Sequence, residues 1–290
     1  MRRMRIAGFC LVAAFALSAV LSAAASAFVR EPPEVGRCVK QAGGKWKDGG
    51  CKTPSKPGEE KFEWQPAFEP GNAYNEAHPL KLHYTSKSKL ETGIQLETTG
   101  TGNPGKVKSV VVCKNTTATG AGEESEGEVT GPKTNIATNI VFRHCESSGL
   151  KCKTTGAAEG EIKVKDLDGK LGIEKFGETH AKDKVANEFT PKEGHFTDFA
   201  CGGIGVEVRG HVLNPVTANA MKLTATVKFV AKGGKQKPEK FATESGKCPA
   251  ECPVLESAFS NIPGAPFEQS GQTLTAVQTN QEKLEINTLE

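Results

Sequence analysis

Beyond its first 27 residues the chain has no apolar run long enough to cross a bilayer and no hydrophobic C-terminal tail, so membrane attachment of the remainder is not encoded. Two catalytic signatures are also missing. There is no Gly-x-Ser-x-Gly elbow and no His-Glu-x-x-His helix, which removes the usual sequence marks of serine hydrolases and zinc proteases. Convincing helical faces are absent as well, although 179–189 has room for a short turn of helix. Aromatic residues are few, at 6%, while Gly occupies 32 positions, a balance that suits a turn-rich structure.

What is present begins with a leader. Met1 to Arg5 carries three arginines, Ile6 to Leu21 is almost wholly apolar, and Ala25-Ser26-Ala27 closes the run. This order reads as a secretory signal cleaved after Ala27, and its apolar part is shorter than the roughly 20 residues of a spanning helix. Cys10 lies inside the apolar stretch behind Phe9, where a lipid-bearing cysteine does not belong. Of the 37 Lys and Arg, three leave with the leader, so 34 remain against 34 Asp and Glu. A neutral product lacks the basic excess that binding nucleic acid requires. The expectation is a secreted or envelope-associated protein with no transmembrane anchor after cleavage.

Export turns the remaining eight cysteines into disulfide candidates. Three pairs are local in sequence: Cys38 with Cys51, Cys145 with Cys152, and Cys248 with Cys252. Exclusion then predicts Cys113 with Cys201. Neither His144-Cys145 with Cys152 nor Cys248 to Cys252 supplies the matched thiol pairs of a zinc site, and no metal or other cofactor is expected.

Three divisions are read along the chain: the signal at 1–27, an irregular segment at 28–78 holding the Cys38–Cys51 loop, and an all-β domain at 79–290. Past Pro79, short alternating runs are broken by Gly, Pro, Asn and Asp. Examples are Ile94 to Thr98, Lys106 to Cys113, Asn135 to Phe142, Phe196 to Cys201, Gly205 to Leu213, Met221 to Val230 and Gln272 to Gln278. About a dozen antiparallel strands forming a sandwich or distorted barrel are expected. Asp168-Gly169 suits a tight hairpin turn. Gly127 to Thr134 and Gly210 to Thr217 share the order Gly-x-Val-x-(Gly or Asn)-Pro-x-Thr, each behind an apolar strand ending in Cys113 or Cys201. This echo predicts two related β-units.

Few residues suggest chemistry. His195 and Asp198 are three apart, which on a strand sends them to opposite faces. His211 reads as a solvent-facing strand residue, and Glu123-Glu124-Ser125-Glu126 with Glu128 as a solvated acidic loop. Trp46, between Lys45 and Lys47, offers a platform for a glycan or envelope polymer, but cover for a small core with Trp64 is the favoured role. Lys235 and Lys237 lie in a basic loop that would suit an anionic polymer, but the chain's neutrality favours a soluble hairpin tip.

Gly131-Pro132-Lys133-Thr134, Asp198-Phe199-Ala200-Cys201-Gly202-Gly203, Asn214-Pro215-Val216-Thr217, Gly233 to Glu239, Phe267 to Gly271 and Leu284 to Asn287 together resemble a family of uncharacterised secreted β-rich proteins of soil actinobacteria. The resemblance spans most of 28–290 and implies export and a β-rich fold, with no established activity or catalytic residues to carry over. The expected function is a non-catalytic binding or structural protein outside the cytoplasm. A secreted hydrolase acting on an extracellular polymer is the alternative.

Overall fold

The alternating runs form strands almost throughout. In this computed structural model, which describes residues 33–89, 93–100, 103–114, 122–178, 182–216, 219–238, 241–243, 246–247 and 255–287, strand accounts for 57% of the described residues and helix for 3%. In chain order the strands are β1 Glu34–Lys40, β2 Phe62–Pro66, β3 His83–Ser88, β4 Ile94–Gly100, β5 Asn103–Cys113, β6 Glu123–Val129, β7 Thr134–Phe142, β8 Glu146–Ser147, β9 Leu150–Lys153, β10 Ile162–Lys163 and β11 Leu167–Lys175. They continue as β12 Lys184–Pro191, β13 Thr197–Cys201, β14 Ile204–Arg209, β15 Val212–Pro215, β16 Lys222–Ala231, β17 Gln236–Lys237, β18 Ala242–Thr243, β19 Gly246–Lys247, β20 Leu255–Ala258 and β21 Glu268–Asn287. Among the described residues the one α-helix, α1, is Ala73–Ala77.

Of the two closures expected from sequence, the barrel forms. Eight strands pair antiparallel in the ring β4, β5, β8, β9, β13, β14, β20, β21 and back to β4. Closure removes the free edges that a sheet would otherwise expose. The 20-residue β21 serves the barrel only with its first residues, from Glu268 to Thr273. Its remainder lies between β16 and β3 in a second sheet, ordered β16, β21, β3, β6, β7, β11, β12, β15. That sheet curls until its edges lie side by side, where Lys228 N–H donates to Asn214 Oδ1 at 3.4 Å. One apolar cluster spans both units and includes Ile94, Val111, Ile140, Leu167, Phe199 and Val212. Each such side chain contributes about 1.5–3 kcal/mol on burial.

The segment expected to be irregular contains β1, β2 and α1. β1 pairs with the end of β21, Glu34 opposite Asn287 and Gly36 opposite Glu285. Buried Arg37 fastens this segment by donating to Glu282 Oε1 at 2.5 Å, to Asn75 Oδ1 at 2.9 Å and to the His78 carbonyl.

Three local expectations are corrected. The stretch with room for a helical turn contains β12, where Val185, Ala186 and Asn187 are buried in succession and so hide the strand's alternation. Asp168-Gly169 is no turn, because β11 runs straight through it with Gly169 opposite Asn135. The glycine makes room there: a Cβ would stand 2.2 Å from Asn135 Oδ1, in an amide exchanging bonds of 3.0 and 3.2 Å with Asn187. Gly169→Val is expected to cost about 1–3 kcal/mol, read as a lowered midpoint of chemical unfolding. The run Gly205 to Leu213 is two strands, divided at Gly210, whose φ of 99° turns the chain out of the barrel and into the second sheet.

The disulfides differ most from expectation. Cys38–Cys51 forms as predicted, but Cys113 bonds Cys145, and Cys152 bonds Cys201. Cys152 N–H donates to the Cys145 carbonyl at 2.9 Å, so those two residues face each other only through backbone. Each sulfur bonds instead to the strand outside the β8–β9 hairpin, and Cys152 stands directly opposite Cys201 in the ladder. The four buried cysteines thus form a row across β5, the hairpin and β13. Cys113 and Cys201 stand on either side of the hairpin and do not meet. The echo itself diverges, since Gly131-Pro132 lies in the β6–β7 hairpin whereas Asn214-Pro215 ends β15, which pairs with β12. The expected signal and the expected pairing of Cys248 with Cys252 lie outside the described residues.

Candidate functional site

Period-two alternation sends Ser109 and Val111 of β5, Leu96 and Thr98 of β4, Val206 of β14 and Ser257 of β20 into the closed barrel. They line a cavity of 520 Å³ that also borders the β8–β9 turn and the segment from Phe259 to Glu268. Thr98 and Ser257 are buried in its wall and join Ser270, buried behind them, in a triangle with oxygen separations of 2.8, 3.1 and 2.8 Å. Three hydroxyls bonded in this way satisfy one another's donors and keep lone pairs free.

The rim is apolar and open. Leu150, Ile204 and Ile262 keep 45%, 46% and 53% of their surface exposed, and all three line this cavity. Among the described residues the other large exposed hydrophobics are Phe176, Leu223 and Val230, none of which borders it. Scattered exposed apolar residues are ordinary, but three gathered at a concave mouth mark a binding surface. Lys108 Nζ stands 3.6 Å from Glu268 Oε1 and 5.4 Å from the centre of the Phe259 ring. These two are the only side chains with acid or base function that line the mouth among the described residues.

A second cavity, of 140 Å³, lies deeper between the barrel and the curled sheet, and Leu96 and Val111 line both. Glu123 lines this inner chamber. In the run expected to be a solvated loop, β6 turns Glu123, Ser125 and Val129 inward and gives Glu124, Glu126 and Glu128 partners on the outer face. Hydrogen bonding to Lys87, helped by nearby Arg143, holds Glu124 below the ordinary carboxylate range. Burial does the opposite to Glu123, pushing its pKa up to about 7.

The residues singled out from sequence do not converge. Trp46 is half-buried and its backbone bridges Phe62 and Pro54, at the end of the N-terminal hairpin. Its flanking Lys45 and Lys47 are paired with Glu63 at 3.8 Å and Glu59 at 3.4 Å. Lys235 and Lys237 are half-buried near the opposite end of β21, where the Lys235 backbone packs on Gly271. His195 and Asp198 are in contact, contrary to expectation, because His195 precedes β13 and strand alternation does not govern it. His83 lies 4.0 Å from Glu128 and His211 2.9 Å from Glu188, so the three histidines sit apart with separate carboxylates. Among the described residues no three His, Cys, Asp or Glu side chains gather as metal ligands, and no helix is long and apolar enough to cross a membrane.

Comparison with known proteins finds no matching family model, no matching curated protein and no matching solved structure. The three disulfides are consistent with a place outside the cytoplasm.

Proposed function

We propose that this is an extracytoplasmic, non-catalytic binding protein whose barrel mouth takes up a small amphipathic molecule, apolar over most of its surface. The observation that carries this reading is the 520 Å³ mouth rimmed by the exposed Leu150, Ile204 and Ile262. Its volume falls within the roughly 300–1,000 Å³ of small-molecule sites, and its composition, apolar walls with few polar groups, is theirs too. The apolar body of a guest would cover the rim, while Lys108 and the wall hydroxyls would receive its polar end. A glycan or envelope polymer is less well served, because Trp46, Lys235 and Lys237 present no common surface.

The test is a fluorescence titration with N-phenyl-1-naphthylamine, an apolar probe that brightens on leaving water. Ile204→Glu places a charge on the rim without disturbing the buried core and is expected to weaken binding about tenfold, the effect of roughly 1.4 kcal/mol. Equal binding by wild type and variant would count against the mouth.

A further inference from the structure

The inner chamber contains a group that the mouth does not use. Its wall is largely apolar, with Ile94, Ile140 and Phe196 among the contributors. Glu123 enters from β6 and is only 3% exposed. Ser125 Oγ donates to its Oε1 at 2.9 Å, whereas its Oε2 is buried and accepts no hydrogen bond. Ser88 meets the Glu123 backbone rather than its carboxylate, with the Glu123 N–H donating to Ser88 Oγ at 2.8 Å. The nearby cations, Lys87 and Arg143, bond Glu124 on the outer face of the strand. Among the described residues no Lys, Arg or His lines the chamber.

A buried carboxylate with a vacant acceptor and no cation is costly unless something supplies the missing donor. We infer that this chamber is a second binding site, for a compact primary amine on an aryl or short alkyl body, whose ammonium group pairs with Glu123 Oε2. The size fits, since an apolar cavity of about 150 Å³ accepts a guest the size of benzene, and this one is 140 Å³. Ser86, Ser125 and Gln278 also line the chamber and offer oxygens to the remaining ammonium protons. The site does not depend on occupancy of the mouth.

The test is an NMR titration of the full exported chain with benzylamine and, separately, with ethylbenzene, its isostere without the amine. Benzylamine is expected to shift the amide signals of Ser86, Ser125 and Gln278 and to bind about tenfold more tightly than ethylbenzene, as a charged hydrogen bond implies. Glu123→Leu should abolish that preference. If the leucine variant does not fold, Glu123→Gln, which keeps the shape but not the charge, should remove the advantage of the amine. Equal affinity for the two probes, a preference that survives in the variants, or shifts confined to mouth residues such as Leu150 and Ile204 would overturn the assignment.

Discussion

Replacing Cys152 and Cys201 together by alanine should lower stability by about 4 kcal/mol and the melting temperature by about 10 °C. The bond closes a loop of sequence separation 49, against 32 for Cys113–Cys145 and 13 for Cys38–Cys51. In the chain-entropy account longer loops restrict the unfolded chain more, so the order of loss should follow these separations. The row of cysteines adds a second reason. Cys145 and Cys152 are fully buried, and the hairpin carrying them supplies two of the barrel's shortest strands, β8 and β9. Such short ladders have few hydrogen bonds of their own, and the sulfurs hold them to β5 and β13. Thermal unfolding of the variants measures the loss, and non-reducing peptide mapping checks the pairing. A peptide joining Cys145 to Cys152 would contradict the row.

Glu123→Gln should make the protein more stable at pH 8 and leave it nearly unchanged at pH 4. The carboxyl has a pKa of about 7 in the folded chain against an ordinary 4.5, because burial penalises its charged form. The folded state therefore holds the proton more tightly than the unfolded state. Stability from this source is fully present below about pH 4.5, declines as pH rises towards 7, and is absent above that. The difference amounts to about 3 kcal/mol, from about 1.4 kcal/mol for each pH unit of separation. Glutamine fills the same space without ionising, so its curve should lack that decline. Denaturant titrations of both proteins between pH 4 and 8 read the effect, and parallel curves would show that Glu123 is not buried as described.

How much of this was legible in the sequence depends on the range of the interaction. Alternation located β4, β5, β7, β13 and β16 closely, within a few residues of their ends. It failed at β12, where consecutive residues are buried, and at Gly169, where a glycine that makes room for Asn135 looked like a turn. The cysteine pairing was misread for a similar reason. Nearness along the chain favoured Cys145 with Cys152, whereas the ladder brings a strand from elsewhere to each. The mouth left no local signal at all, since Leu150, Ile204, Ile262 and Lys108 come from separate segments joined only when the ring closes. Glu123 did leave one. The spacing of Glu123, Ser125, Gly127 and Val129 is that of a strand face, but the surrounding carboxylates gave the run the look of a solvated loop.

Binding at the barrel mouth is most directly tested by a methyl NMR titration of the protein with N-phenyl-1-naphthylamine. Six large apolar side chains are exposed among the described residues, and the methyl groups of five divide into two sets. Leu150, Ile204 and Ile262 border the mouth, while Leu223 and Val230 lie outside it and serve as internal controls. Saturable shifts are expected in the first set, with the second unmoved. Shifts of equal size in both sets, or none in the first, would contradict it.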